Sequence, residues 1–111
     1  MAALTDVGFQ ILLALADGER HGYEILQSLS QAGVSRIGPT TLYRTLHGLR
    51  EAGLIEESDR MAGPEDDARR RYYRLTPGGR EAARGELQRL RSLVALAEKA
   101  PLGRARPRTA S

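Results

Sequence analysis

The sequence predicts an α+β fold that is mainly α-helical, with four helices and one β-hairpin. Apolar residues recur at helical spacing in three short segments before residue 52 and in one long segment after residue 76. Two short runs of β-forming residues lie between the third and fourth helical segments. Three helices followed directly by a hairpin are the outline of a winged helix-turn-helix, in which the hairpin is the wing. With 111 residues, the chain can form one domain with a modest core.

The first two helices are predicted over residues 5–16 and 21–31. Thr5 can cap the first helix, whose apolar stripe consists of Val7, Ile11, Leu12 and Leu15. Because Phe9 and Leu13 extend the apolar surface to a second side, we expect the C-terminal helix or a second subunit to cover this helix. Residues 17–20 are predicted to form a turn. His21 is expected to have a structural role at the start of the second helix.

Pro39 and Gly53 delimit the third helix, because proline suits a first helical turn and glycine suits the left-handed position after the last turn. Leu42, Leu46 and Leu49 form its core-facing stripe. The other side carries hydrogen-bonding groups that can contact base edges in a DNA major groove: Thr40, Thr41, Tyr43, Arg44 and His47. On these residues alone, an ordinary surface helix is an equally good interpretation.

The wing is predicted from strands over residues 54–58 and 70–75, which are joined by a long polar loop. Its returning arm carries the arginines Arg69, Arg70 and Arg71, which can reach phosphates beside the groove. The alternative interpretation of this triplet is a solvated surface. Residues 34–37 are predicted to supply the turn before the third helix and include Arg36, a further candidate for phosphate contact.

The fourth helix is predicted to begin at Thr76 and Pro77 and to continue to Lys99. Its apolar residues recur in alternating steps of four and three, which is typical of a helix that packs along a partner helix. This pattern predicts a homodimer. The predicted interface residues are Ile11, Leu12 and Leu15 in the first helix and Ala83, Leu87, Leu90, Val94 and Ala97 in the fourth.

The composition excludes several classes of site. There is no cysteine, so disulfides and thiolate metal ligands are absent, and the only two histidines, His21 and His47, lie far apart in the sequence. We therefore expect no metal site and no cofactor. No nucleophile with a neighbouring base is apparent, which argues against an enzyme. Without a membrane span or a signal segment, the chain is expected in the cytoplasm.

The distribution of charge favours an anionic partner for the second half of the chain. Residues 1–60 have 5 arginines against 8 acidic residues, whereas residues 61–111 have 12 basic residues against 6 acidic ones. Of the 17 basic residues only Lys99 is lysine, and arginine is the better residue for bidentate contacts with phosphate or guanine. A general preference for arginine in the source genome would explain part of this composition.

Several motifs in one order resemble the PadR family of bacterial transcriptional regulators. They are the run His21-Gly22-Tyr23-Glu24-Ile25, then Thr41-Leu42-Tyr43, then Gly53-Leu54-Ile55, and finally Arg71-Tyr72-Tyr73-Arg74-Leu75-Thr76. The resemblance implies a dimeric winged-helix repressor whose third helix enters the major groove. Some family members respond to phenolic acids or antibiotics, so a small aromatic effector is a candidate partner. Two features depart from the family: Arg44 follows Tyr43 where proline is frequent, and tryptophan is absent.

The sequence therefore predicts a repressor that binds a pseudo-palindromic DNA operator as a homodimer. The predicted organisation is a DNA-binding domain over residues 1–75, a dimerisation helix over residues 76–100 and a disordered basic tail over residues 101–111. The alternative function is a winged-helix module for protein interaction that does not bind specific DNA. The predicted DNA-binding residues are Arg36, Thr40, Thr41, Tyr43, Arg44, His47, Arg69, Arg70 and Arg71.

Overall fold

The computed structural model describes residues 4–31, 37–58 and 71–103. In these ranges the chain forms four helices and three short strands. The helices are α1 (Asp6–Ala14), α2 (Gly22–Gln31), α3 (Pro39–Glu51) and α4 (Pro77–Lys99). The strands are β1 (Arg20–His21), β2 (Ile55–Glu57) and β3 (Tyr72–Leu75). The element order confirms the predicted α+β winged-helix architecture.

The helix boundaries follow local signals in the sequence. The Thr5 hydroxyl accepts a hydrogen bond from the Gly8 amide at 3.0 Å, which caps α1 as predicted. Pro39 occupies the first turn of α3, and Gly53 lies just after that helix with a φ of 77°. A positive φ of this size is readily adopted only by glycine, so Gly53 ends α3 and turns the chain into β2.

The sheet has three strands where the sequence predicted two. β3 lies in the centre and pairs antiparallel with β1 and with β2. Arg20, predicted to lie in a turn, instead lies in β1 and pairs with Tyr73 of β3. Its side chain donates to the Ala14 carbonyl at 2.9 Å. A strand of two residues is too short to produce an alternating pattern, so only its partner in the tertiary structure defines it.

One apolar core lies between α1, α2, α3 and the sheet. Its buried members are Ile11, Leu12, Leu15, Ile25, Leu29, Leu42, Leu46, Leu49, Ile55 and Tyr73. Burying them removes apolar surface from water, which is the main favourable contribution to folding. This core fixes α3 with its leucine stripe inward, so that the polar face of the helix lies at the surface.

The structure revises part of the predicted dimer interface. Ile11, Leu12 and Leu15 have 0%, 0% and 1% of their surface exposed within the single subunit. They belong to the core of the subunit and have no free surface for a second chain. The apolar stripe of α1 correctly indicated burial, but the covering side chains come from the same subunit.

The first half of α4 packs on the domain, and its second half does not. Ala83 is half-buried against the core, and the Glu86 carboxylate is buried with 7% of its surface exposed. Arg89 donates two hydrogen bonds to Glu86, at 2.9 Å from Nε and 2.6 Å from Nη2. Beyond Leu90, every residue of α4 is exposed. The end of α4 therefore extends past the core of its own subunit.

Candidate nucleic-acid interface

The outward face of α3 presents the predicted groove-reading side chains to solvent. Thr40, Thr41, Tyr43, Arg44 and His47 are all exposed, while the leucines on the opposite side of the helix are buried. The His47 ring lies 3.8 Å from the Glu51 carboxylate, one turn further along the same face. Side chains of this kind can donate to and accept from base edges, and their exposure is a requirement for doing so.

The position of Tyr43 depends on Gly22 at the start of α2. A Cβ atom at residue 22 would lie 2.6 Å from the Tyr43 hydroxyl, so a side chain there would displace the phenol ring. The ring is therefore supported from one side by the backbone of α2, and 46% of Tyr43 is exposed. Gly22 and Tyr43 belong to two separate sequence motifs, and nothing in the spacing of these motifs showed that the two residues lie close together.

His21 caps the start of α2 through its own side chain and its amide. Its Nδ1 accepts from the Glu24 amide at 3.2 Å, and the Glu24 carboxylate accepts from the His21 amide at 3.0 Å. This reciprocal arrangement satisfies two amides that the first turn of a helix leaves without partners. Among the described residues, no group of acidic and histidine side chains is arranged to hold a metal ion.

The hairpin brings a cationic side chain beside α3. Arg71 is exposed immediately before β3, and its Nη1 donates to Glu57 Oε1 at 2.7 Å. The hydrogen bond from Arg71 to Glu57, reinforced by the attraction between their charges, holds the pKa of Arg71 above its usual range. Arg50 in the last turn of α3 donates to the same Glu57 oxygen at 3.0 Å. Sequence reasoning missed Arg50 because its helical position alone does not reveal its partner on β2.

A cavity of about 400 Å³ separates α3 from the hairpin. Tyr73 at the centre of the sheet contributes an almost fully buried wall, and burial raises the pKa of its phenol above the ordinary value. The cavity is lined by Tyr43, Leu46, His47, Arg50, Glu57, Arg71 and Tyr73. The cavity is therefore lined both by Tyr43 and His47, which are predicted to contact bases, and by Arg71, which is predicted to contact phosphate.

Three predicted phosphate contacts, Arg36, Arg69 and Arg70, lie outside the described residues. Of the predicted dimer residues in α4, Ala83 is half-buried within the subunit and Leu90 is partly covered. The others are exposed, with 43% of Leu87 and 55% of Val94 accessible. In the part of the chain that the structure describes, no helix is long and apolar enough to cross a membrane.

The comparison with known families identifies the chain. Residues 11–85 match the model of the transcriptional regulator PadR-like family. The chain belongs to the PadR-like family. This result confirms the resemblance seen in the motifs, and it confirms that the protein is a transcriptional regulator and not an enzyme.

Individual PadR-like relatives agree with this assignment. The transcriptional regulator Rv3488 of Mycobacterium tuberculosis is 41% identical over 88 residues, covering 79% of this chain and 78% of that protein. A transcriptional regulator from Clostridium thermocellum has a similar structure, with a TM-score of 0.70 and 27% identity, covering 86% of this chain and 89% of that one.

The fold is also shared with a relative solved on DNA. PadR of Bacillus subtilis, in complex with operator DNA, superposes with a TM-score of 0.65 and is 19% identical. The alignment covers 96% of this chain and 53% of that one. At this identity the likeness concerns the fold alone.

Proposed function

We propose that this PadR-like regulator is a sequence-specific repressor that binds a pseudo-palindromic operator as a homodimer. The single observation that carries the proposal is the position of the polar face of α3. The core holds its leucines inward, so Tyr43, Arg44 and His47 face outward beside the hairpin. The structure of Bacillus subtilis PadR with operator DNA supports the same use of the shared fold.

The contacts would divide between bases and backbone. Thr40, Thr41, Tyr43, Arg44 and His47 would contact base edges in the major groove, where side-chain donors and acceptors discriminate between base pairs. Arg71 would contact a backbone phosphate, which positions the protein without reading the sequence. From the sequence alone, the same role is proposed for Arg36, Arg69 and Arg70.

The exposed apolar side chains of α4 support a homodimer. Leu87, Leu93, Val94 and Leu96 are each more than 40% exposed, and Leu13 on α1 is 53% exposed. Several large apolar side chains on one helix are typical of an interface. A twofold partner would cover them and would double the DNA contacts. Operator half-sites are then expected about 10 base pairs apart, one turn of DNA.

An effector that releases the DNA is a further part of the proposal, supported only by the family. Small aromatic compounds are the candidate class. A mode in which planar compounds stack against tryptophan is not available to this chain, because it contains none. A selection of bound fragments from random DNA, repeated in the presence of such compounds, would identify the operator and any effector together.

The decisive experiment compares Arg44→Ala with Arg71→Ala on the selected operator and on random DNA. Arg44→Ala is expected to cost about 1–3 kcal/mol on the operator and little on random DNA, because a base contact is lost. Arg71→Ala is expected to weaken both complexes and to reduce the salt dependence of each, because a phosphate contact is lost. Fluorescence anisotropy at two salt concentrations measures both effects.

The competing function is a protein-interaction module built on the same scaffold. A module of this kind would show no tight, salt-sensitive and selective DNA binding by the unmodified protein. Equal losses on operator and random DNA for Arg44→Ala would instead argue against base reading by α3 while leaving DNA binding intact.

A further inference from the structure

Two arginines from different elements converge on one carboxylate between α3 and the wing. Arg50 lies in the last turn of α3, Arg71 lies just before β3, and Glu57 is the last residue of β2. Glu57 Oε1 accepts from Arg50 at 3.0 Å and from Arg71 at 2.7 Å. Both guanidinium groups are thus directed to one point, although Arg50 and Arg71 are remote in sequence.

This cluster lies where the proposed DNA contacts meet. Arg50, Glu57 and Arg71 line the same cavity as Tyr43 and His47, which are proposed to face the major groove. The side chains of the cluster are partly exposed: 46% for Arg50, 35% for Glu57 and 59% for Arg71. A DNA backbone that passes between α3 and the hairpin would therefore meet two arginines already paired with an acid.

We propose that Glu57 determines specificity by acting as an internal counter-ion for Arg50 and Arg71. It lowers affinity for DNA of any sequence, and it fixes the direction of the two guanidinium groups for the backbone of the operator. This inference rests on the proposed function. It assigns Arg50 to the DNA-binding surface and gives Glu57, an acidic residue, a role in DNA recognition.

The charges explain why this arrangement weakens binding to random DNA but still allows the arginines to contact a phosphate. Non-specific binding depends almost entirely on the neutralisation of phosphates by cations, so an acid beside two arginines weakens it. A guanidinium has five N–H donors, and each arginine uses one of them in its hydrogen bond to Glu57. Donors therefore remain for a phosphate.

The fixed geometry favours the operator in particular. Long side chains lose conformational entropy when they are immobilised on binding. Holding Arg50 and Arg71 in place beforehand reduces this loss only where the DNA backbone runs in the matching position. On random DNA, the repulsion from Glu57 remains without that compensation.

The test is Glu57→Gln, which removes the charge and retains the size of the side chain. Affinity for a random duplex is expected to rise several-fold, and the slope of log affinity against log salt is expected to steepen by up to about one unit. Operator affinity is expected to rise less, so the ratio of operator to random binding falls. Titrations by fluorescence anisotropy over a series of salt concentrations measure both quantities.

Glu56→Gln is the matched control. Glu56 precedes Glu57 on β2, so its side chain projects from the other face of the sheet, where it accepts from Arg74 at 2.9 Å. This variant changes the net charge by the same amount but leaves Arg50 and Arg71 paired. It is expected to alter random-DNA binding much less than Glu57→Gln does.

A second variant separates geometry from charge and also serves if Glu57→Gln fails to fold. Glu57→Asp keeps the carboxylate but shortens its reach, so that it cannot hold both arginines. Affinity for random DNA is expected to stay near that of the unmodified protein, while operator affinity falls. Circular dichroism checks that each variant retains the helical fold.

The outcomes separate this inference from the proposed function. If the unmodified protein selects an operator but Glu57→Gln and Glu56→Gln have equal effects, the inference about Glu57 is overturned and the proposed function stands. An operator-to-random ratio that is unchanged in both Glu57 variants would likewise overturn the role of Glu57 alone. If the unmodified protein selects no DNA, the proposed function falls and this inference falls with it.

Discussion

At the residue level, single contacts hold side chains in place on the proposed DNA-binding surface. Gly22 leaves the space in which the Tyr43 hydroxyl lies, and Glu57 holds Arg50 beside Arg71. None of these contacts belongs to the apolar core, so they contribute little to burial. Their effect is to restrict side chains that would otherwise sample many rotamers before meeting DNA.

The Glu86 carboxylate is a second restrained group, and it makes stability depend on pH. Hydrogen bonds from Arg89 lower the pKa of Glu86 below its ordinary value of 4.5, with the charge of Arg89 adding to the effect and burial opposing it. A carboxyl with a lower pKa in the folded state stabilises the fold above its unfolded pKa. This contribution is lost as the pH falls through the folded value.

Glu86→Gln is therefore expected to reduce the free energy of unfolding at pH 7 and to have a progressively smaller effect as the pH falls below 4.5. Urea denaturation at fixed protein concentration measures the difference from the unmodified protein at each pH. Glu81→Gln, which removes an exposed acid paired with Arg84 on the same helix, is the control and should change stability little. A loss that is constant with pH would contradict the assignment.

At the level of the elements, the end of α3 and the start of α4 lie close together and share the side chain of Thr76. The Thr76 hydroxyl accepts from the Gly79 amide at 3.0 Å to cap α4, and it also donates to the Gly53 carbonyl at 2.6 Å. One side chain therefore connects the residue that follows α3 to the first turn of α4.

Two adjacent glycines test how tightly that junction is packed. A Cβ atom at Gly79 would collide with the backbone carbonyl of Leu54, whereas one at Gly78 would make ordinary contacts with Gly53 and Thr76. Gly79→Ala is expected to destabilise the domain by about 1–3 kcal/mol, because the backbone must shift. Gly78→Ala is expected to be neutral or to stabilise by up to about 1 kcal/mol, since alanine favours helix.

Thermal or urea unfolding of the two glycine variants provides the measurement. Each substitution adds one methyl group in the first turn of α4, so helix propensity contributes similarly to both. If both variants were equally stable, the close approach of Gly79 to the carbonyl of Leu54 would not be present in solution.

At the level of the whole molecule, α4 divides into a packed half and an uncovered half. Arg80 near its start donates to the Ala16 carbonyl at 3.2 Å, and Ala83 contacts the core. Past Leu90 the helix carries apolar side chains that its own domain does not cover. We propose that this second half forms most of the dimer interface and that the first half supports α1.

Val94→Glu is expected to convert the dimer into a monomer, because it places a charge within the proposed interface. The substitution should not unfold the subunit, since Val94 is 55% exposed in it. Ala95→Glu, at an exposed position whose neighbours one turn away on α4 are all polar, is the control and should remain dimeric. Light scattering coupled to gel filtration measures the mass of each variant. A dimeric Val94→Glu protein would exclude this surface as the interface.

The sequence by itself determined the elements whose signals are local. Pro39 and Gly53 delimited α3, Thr76 and Pro77 marked the start of α4, and the leucine spacing showed which side of α3 is buried. These features depend on backbone preferences and on the helical period, both of which act over a few residues. The exposed face of α3 follows from the buried one.

Only the tertiary structure decided which distant residues meet. An apolar stripe shows that Ile11 and Leu12 avoid water, but it does not show whether their own domain or a second subunit covers them. The short strand β1 and the pairing of Arg50 with Glu57 likewise follow from the packing of elements that are separate in sequence. Such contacts depend on the summed packing of the whole core, which no local pattern records.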